Sequence, residues 1–201
     1  MPSRITNFPP VGGRLALNFV NSLHLSESSN LADFIGFLQV SGVVSPERGA
    51  HLLNLPQTDQ RTAETLVSRV ARLGGVLRQA FSAMARKEKI VSEWAAPINE
   101  ILRITEGHDE LVLENGEWRL EFMAREDGLD WLLAAIARSA AEILVEGPAA
   151  RLRVCANPGC GLFFSDVSRT RQRRWCSMAR CGNRHKVAAF ARRHDSRRRA
   201  T

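Results

Sequence analysis

Four cysteines, and no others, stand at Cys155, Cys160, Cys176 and Cys181. They form two C-x4-C pairs separated by fifteen residues. Two thiol pairs, each on its own short loop, supply the four thiolates that close a tetrahedral Zn²⁺ shell. The last quarter of the chain must therefore fold around a shared point. Two disulfides would need an oxidising compartment, and a chain of 201 residues buries a sizeable core without staples. Met1 to Leu25 has no apolar run of signal-peptide length, because Pro9, Pro10, Gly12, Gly13 and Arg14 break it. Iron ranks behind zinc, the usual occupant of structural sites built from four thiolates.

Charge follows the same division. Residues 151–201 hold fourteen of the 28 Lys and Arg but only Asp166 and Asp195 as acids, which makes that segment +12. Residues 1–150 hold the other fourteen bases and nineteen acids, or −5. Zinc with four thiolates is formally −2, so offsetting it cannot account for +12. Localised basic charge is the footprint of a polyanion binder, and thirteen of the fourteen bases are arginines, whose planar fork fits phosphate. No apolar run approaches the ~20 residues needed to cross a bilayer. A soluble cytoplasmic protein without a membrane partner is expected.

Residues 1–13, rich in proline and glycine, read as a flexible lead-in. Residues 14–25 read as a short apolar helix or a buried strand. Asn30 or Ser29 caps a helix over Leu31 to Val40, and Ser45-Pro46 starts another that Pro56 stops. Leu66, Val70, Leu73, Leu77, Phe81 and Met84 mark a long amphipathic helix within 58–89. Ser92 caps a helix to about Thr105. Alternation over 110–114 and 117–122 around Asn115-Gly116 predicts a β-hairpin. A helix over 130–145 ends at Gly147-Pro148, the expected domain boundary. Histidines 24, 51 and 108 are scattered singly and read as surface or capping residues. No acid, base or nucleophile groups cluster in the sequence, so an enzyme is not expected.

In the finger, Val154 ends a short strand, Asn157-Pro158-Gly159 turns between two ligands, and 162–164 returns as a strand. A hairpin with a basic tip is predicted over 165–174, and a helix from Cys181-Gly182-Asn183, with Asn183 as its cap. Val187, Phe190, Ala191 and His194 are expected to pack on the zinc core. Arg184, opposed to the helix dipole in the first turn, needs a partner, and Asp166 is expected ahead of an external phosphate. Knuckle, hairpin and ligand at a helix start make a treble-clef-like arrangement. A segment of this size should unfold by itself without metal. Candidate nucleic-acid contacts are Arg169, Arg171, Arg173 and Arg174 on the hairpin, and Arg184, Lys186, Arg193 and Arg197 on the helix.

The strings Cys155-Ala-Asn-Pro-Gly-Cys160, Phe164-Ser-Asp-Val-Ser168, Arg173-Arg-Trp-Cys-Ser-Met178 and Cys181-Gly-Asn-Arg184 resemble the CGNR zinc finger family. In that family the finger follows an ABATE domain, and RLALNFVNSL at 14–23 resembles its opening motif, with Asn18 where Asp is usual. The resemblance implies a bacterial transcription regulator. The expected protein is thus α+β: a mostly helical regulatory domain with a hairpin over 14–147, and a four-cysteine Zn²⁺ finger over 150–201 that binds DNA. The first domain would take a small-molecule effector or mediate self-association. A zinc-stabilised protein-interaction module and an RNA-binding protein are the alternatives.

Overall fold

The computed structural model describes residues 10–25, 30–104, 107–114, 117–124 and 129–198. For residues 104, 108–114, 117–124, 189 and 192–198 that description is of backbone alone. Helices α1 (Leu15–Leu25), α2 (Leu31–Val40), α3 (Pro46–Leu53), α4 (Leu55–Thr58), α5 (Gln60–Ala85) and α6 (Ala95–Ile104) come first. The antiparallel pair β1 (Gly107–Glu114) and β2 (Glu117–Ala124) follows, then α7 (Trp131–Glu146). The chain ends with β3 (Leu152–Val154), β4 (Phe163–Ser165) and α8 (Asn183–Arg198).

Local chemistry accounts for most boundaries. The Asn30 side chain accepts from Asp33 N and begins α2, while Ser45 accepts from Arg48 N with Pro46 at the first position of α3. Pro56 does not stop the chain, as the sequence suggests, but lies in the opening turn of α4, where its missing N–H has no helical partner to lose. Asp59 caps α5 through Thr62. The hairpin register, Leu111 opposite Leu120 and Glu114 opposite Glu117, leaves two residues to connect the strands. Those two, Asn115 and Gly116, lie outside the described residues.

The core forms where α5 crosses α1. Leu66, Val70, Leu73, Leu77 and Phe81 recur every three or four residues and are all buried. Phe19 packs edge-on to Phe34 and beside Phe37. Gly74 permits close approach, since a Cβ there would lie 2.2 Å from Leu23 Cδ1. Arg69 of α5 pairs with Asp130 and with Glu100, tying α6 and the start of α7 to α5. Among the described residues no helix is long and apolar enough to cross a membrane.

Leu152 of β3 and Phe163 of β4 belong to this same core, with Phe163 edge-on to Phe81 at 6.2 Å. The finger is therefore built against the helical domain. The expected flexible lead-in also ends early. Val11 packs on the cysteine cluster, and Gly12 N donates to Asn18 Oδ1 at 2.9 Å while Gly12 O accepts from Ser165 N. Asn18 needs only an acceptor there, a role a carboxylate would fill equally.

Candidate metal centre

The β3–β4 pair brackets the first two cysteines. Val154 pairs with Phe163, and Cys155 N donates to Leu162 O at 2.9 Å, so the pair closes immediately before the first ligand. Cys160 N donates to Asn157 O, which closes the Asn157-Pro158-Gly159 turn. Gly161, just after the second ligand, has a left-handed backbone, φ 65°. His24 lies against it, and its Nε2 is 3.0 Å from Cys160 O.

The second pair arrives differently from expectation. No strands pair across residues 166–174; that segment is a loop organised by Asp166. Nor does Asn183 cap the last helix. Ser177 caps a wide π turn, Met178–Gly182, by accepting from Arg180 N, and Cys181 lies inside that turn. Asn183 already has helical dihedrals. Ser177 is itself a preferred cap residue, a signal present in the sequence and outweighed by the Gly-Asn pair.

The four sulfur ligands lie within 4.8 Å of one another. Cys160 Sγ is 3.6 Å from Cys176 Sγ, and Cys176 Sγ is 3.7 Å from Cys181 Sγ. Zn–S bonds near 2.3 Å in a tetrahedron place sulfurs about 3.8 Å apart, so the separations fit Zn²⁺. All four thiols are free, and three are buried. Burial pushes the Cys160 and Cys176 thiols up. Burial also opposes ionisation of Cys181, but the Asn157 amide and the neighbouring cysteines outweigh it and hold that thiol below its usual value. Four thiolates this close need a cation, and the donor set is that of a zinc finger. Zinc held by all four would have no open position for substrate, so its contribution is a crosslink.

Neighbouring groups orient the sulfurs. Asn157 Nδ2 donates to Cys181 Sγ and Cys176 N to Cys155 Sγ, both at 3.5 Å. Leu162 and Phe164 pack on the cluster, with Val11 and Trp175 at its margin.

Arg173 is half-buried and turns inward. Its guanidinium donates to Trp175 O at 2.9 Å, to Cys176 O and to Val11 O, and lies 4.5 Å over the Phe164 ring. Arg169, Arg171, Arg174, Arg184 and Lys186 are exposed. The Arg193 and Arg197 side chains lie outside the described residues. The Asp166–Arg184 pair does not form: Asp166 is buried and bonds Arg153 Nε at 3.1 Å. Because the turn begins at Met178, Arg184 falls beyond the first turn and no longer opposes the dipole. Val187 and Phe190 are 68% and 58% exposed and do not seal the zinc core. The start of α8 meets the finger through His185, whose ring lies tilted against that of Trp175 at 4.7 Å.

A helical domain that carries a four-thiolate knuckle on its own core is the class these features define. The model described as CGNR zinc finger matches residues 151–194. The ABATE model, described as "Putative stress-induced transcription regulator", matches residues 13–147. The chain belongs to the ABATE family and ends in a CGNR zinc finger. No curated protein matches it.

Proposed function

We propose that this protein is a zinc-dependent DNA-binding transcription regulator, read through its finger and controlled through its helical domain. One observation carries this reading. Between residues 151 and 191, Arg151, Arg153, Arg169, Arg171, Arg174, Arg180, Arg184 and Lys186 are exposed, whereas the single acid, Asp166, is buried. A surface of that sign with no exposed acid attracts phosphates and releases their counterions. The Arg174 guanidinium lies 5.4 Å from the Trp175 ring, and the His185 ring packs against it at a tilt, so Trp175 links the arginine loop to the start of α8. Arg169, Arg171, Arg174, Arg184 and Lys186 are the contacts on this reading, with Arg193 and Arg197 extending them along the helix. The helical domain takes an effector or a second copy.

Fluorescence anisotropy of a labelled duplex, titrated with zinc-loaded protein across a salt series, tests this. Each phosphate contact contributes about −0.9 to the slope of log K against log salt. Arg169→Ala with Arg171→Ala should weaken binding and flatten the slope by about two such contacts. Tighter binding to RNA or to an acidic protein would transfer the site to that partner. Salt-independent binding would remove the electrostatic basis of the proposal.

A further inference from the structure

The loop that carries Arg169 and Arg171 has no strand partner, yet one buried carboxylate fastens it at both ends. Asp166 Oδ1 accepts from Ser168 N at 3.1 Å and from the Ser168 hydroxyl at 2.5 Å. Asp166 Oδ2 accepts from Arg173 N at 3.0 Å. The residues between are thus pinned to a single side chain. Arg153 on β3 holds that carboxylate through Nε, and its Nη2 donates to Arg171 O at 2.7 Å. Arg171 N closes the turn onto Ser168 O. The Arg171 backbone is left-handed, φ 53°, a conformation a non-glycine residue keeps only where its surroundings hold it.

Resting on the nucleic-acid reading above, we infer that Arg153 and Asp166 are positioning residues of the interface: they preset the 167–172 backbone so that Arg169 and Arg171 meet phosphates already ordered. A flexible arginine loop would lose conformational entropy on binding, whereas a fastened one has lost it on folding. The fork of Arg153 matters more than its charge. It spans a carboxylate and a carbonyl simultaneously, which a lysine ammonium, a compact point charge, does not reproduce. Asp166→Asn would turn an amide NH₂ toward a backbone N–H whichever way it faced, that of Ser168 or that of Arg173, so that variant risks the fold. Arg153→Lys is the milder test.

The experiment uses the full chain with zinc bound. Arg153→Lys is made alone and together with Arg169→Ala and Arg171→Ala. Two quantities are read: amide hydrogen exchange at residues 168, 171 and 173, and anisotropy with a duplex of mixed sequence. Arg153→Lys should keep its zinc and raise exchange at 171 and 173 about tenfold. It should weaken duplex binding about fivefold, and cost nothing further once Arg169 and Arg171 are alanine, because its effect passes through them. Unchanged exchange, or a loss additive with the two alanines, would overturn the inference. Faster exchange in a protein whose wild type binds no nucleic acid would leave the fastening role of Arg153 standing and remove the partner instead.

Discussion

Replacing Asn21 with alanine should destabilise both halves of the molecule together. Asn21 is 1% exposed on α1, and its amide serves as a third strand for the finger. Phe163 N donates to Asn21 Oδ1 and Asn21 Nδ2 donates to Phe163 O, both at 2.8 Å. Phe163 and Ser165 turn these groups away from β3, so the outer edge of β4 is closed by Asn21 and by Gly12 O. Alanine leaves one buried N–H and one buried C=O without partners, at about 1–3 kcal/mol each. The expected loss is about 3 kcal/mol, since a water admitted to the space recovers part of it. For a chain of this size that lowers the unfolding midpoint by roughly 6–12 °C. Asn21→Asp should be no better, because it sets a carboxylate against the Phe163 carbonyl.

The assay is denaturant unfolding of the zinc-loaded protein, followed by far-UV circular dichroism for the helices and by tryptophan fluorescence. The two probes should shift together, because Leu152, Phe163 and Phe81 lie in one core. A loss under 1 kcal/mol, or a finger that melts separately while the helices keep their wild-type midpoint, would refute a sealed, shared strand.

Other expectations follow from the same geometry. Arg173→Ala should cost about 2–3 kcal/mol, because it removes charge-assisted bonds to three carbonyls and a ring contact, whereas Arg169→Ala should stay within about 0.5 kcal/mol; equal thermal shifts would contradict the inward placement. Purified protein should carry one zinc, released as pH falls: the metal needs thiolates, and burial raises the Cys160 and Cys176 thiols, so protons compete with it from the neutral side downward. Retention of full zinc at pH 4, measured with a colorimetric chelator, would argue against four-thiolate ligation.

What the sequence revealed was local. The caps at Asn30 and Ser45 act within three residues of themselves, and the cysteine spacing needs only two short loops. Partners far apart in the chain were hidden. Asn21 and Phe163 are 142 residues apart, and His24 and Cys160 are 136. Nothing in RLALNFVNSL marks its second asparagine as a strand edge, and although His24 is exposed, as its sequence context suggests, only the fold shows it lying over Gly161. Arg173 shows a different limit: its charge resembles that of Arg169, and only the carbonyls around Cys176 separate a structural guanidinium from an exposed one. The cation that pairs with Asp166 is Arg153 on β3, whereas the sequence pointed to the helix.

The magnitudes set a direction for the coupling between the two halves. A structural zinc site contributes on the order of 10 kcal/mol to folding of a small finger, several times what the Asn21 seal supplies. Losing the seal should therefore leave zinc in place. Losing zinc should undo β3 and β4, and with them the cover that Phe163 gives to Phe81 and the place of Leu152 in the same core. The expectation of a finger that unfolds alone gives way to one whose metal stabilises part of the helical core. Linkage is reciprocal, so any ligand that fixes α1 against β4 must also tighten zinc by the same free energy. Chelator titration of Asn21→Ala beside wild type measures that shared term: zinc should dissociate more readily from the variant by the factor its docking free energy sets, and identical zinc affinities would mean that α1 and the metal centre are energetically separate.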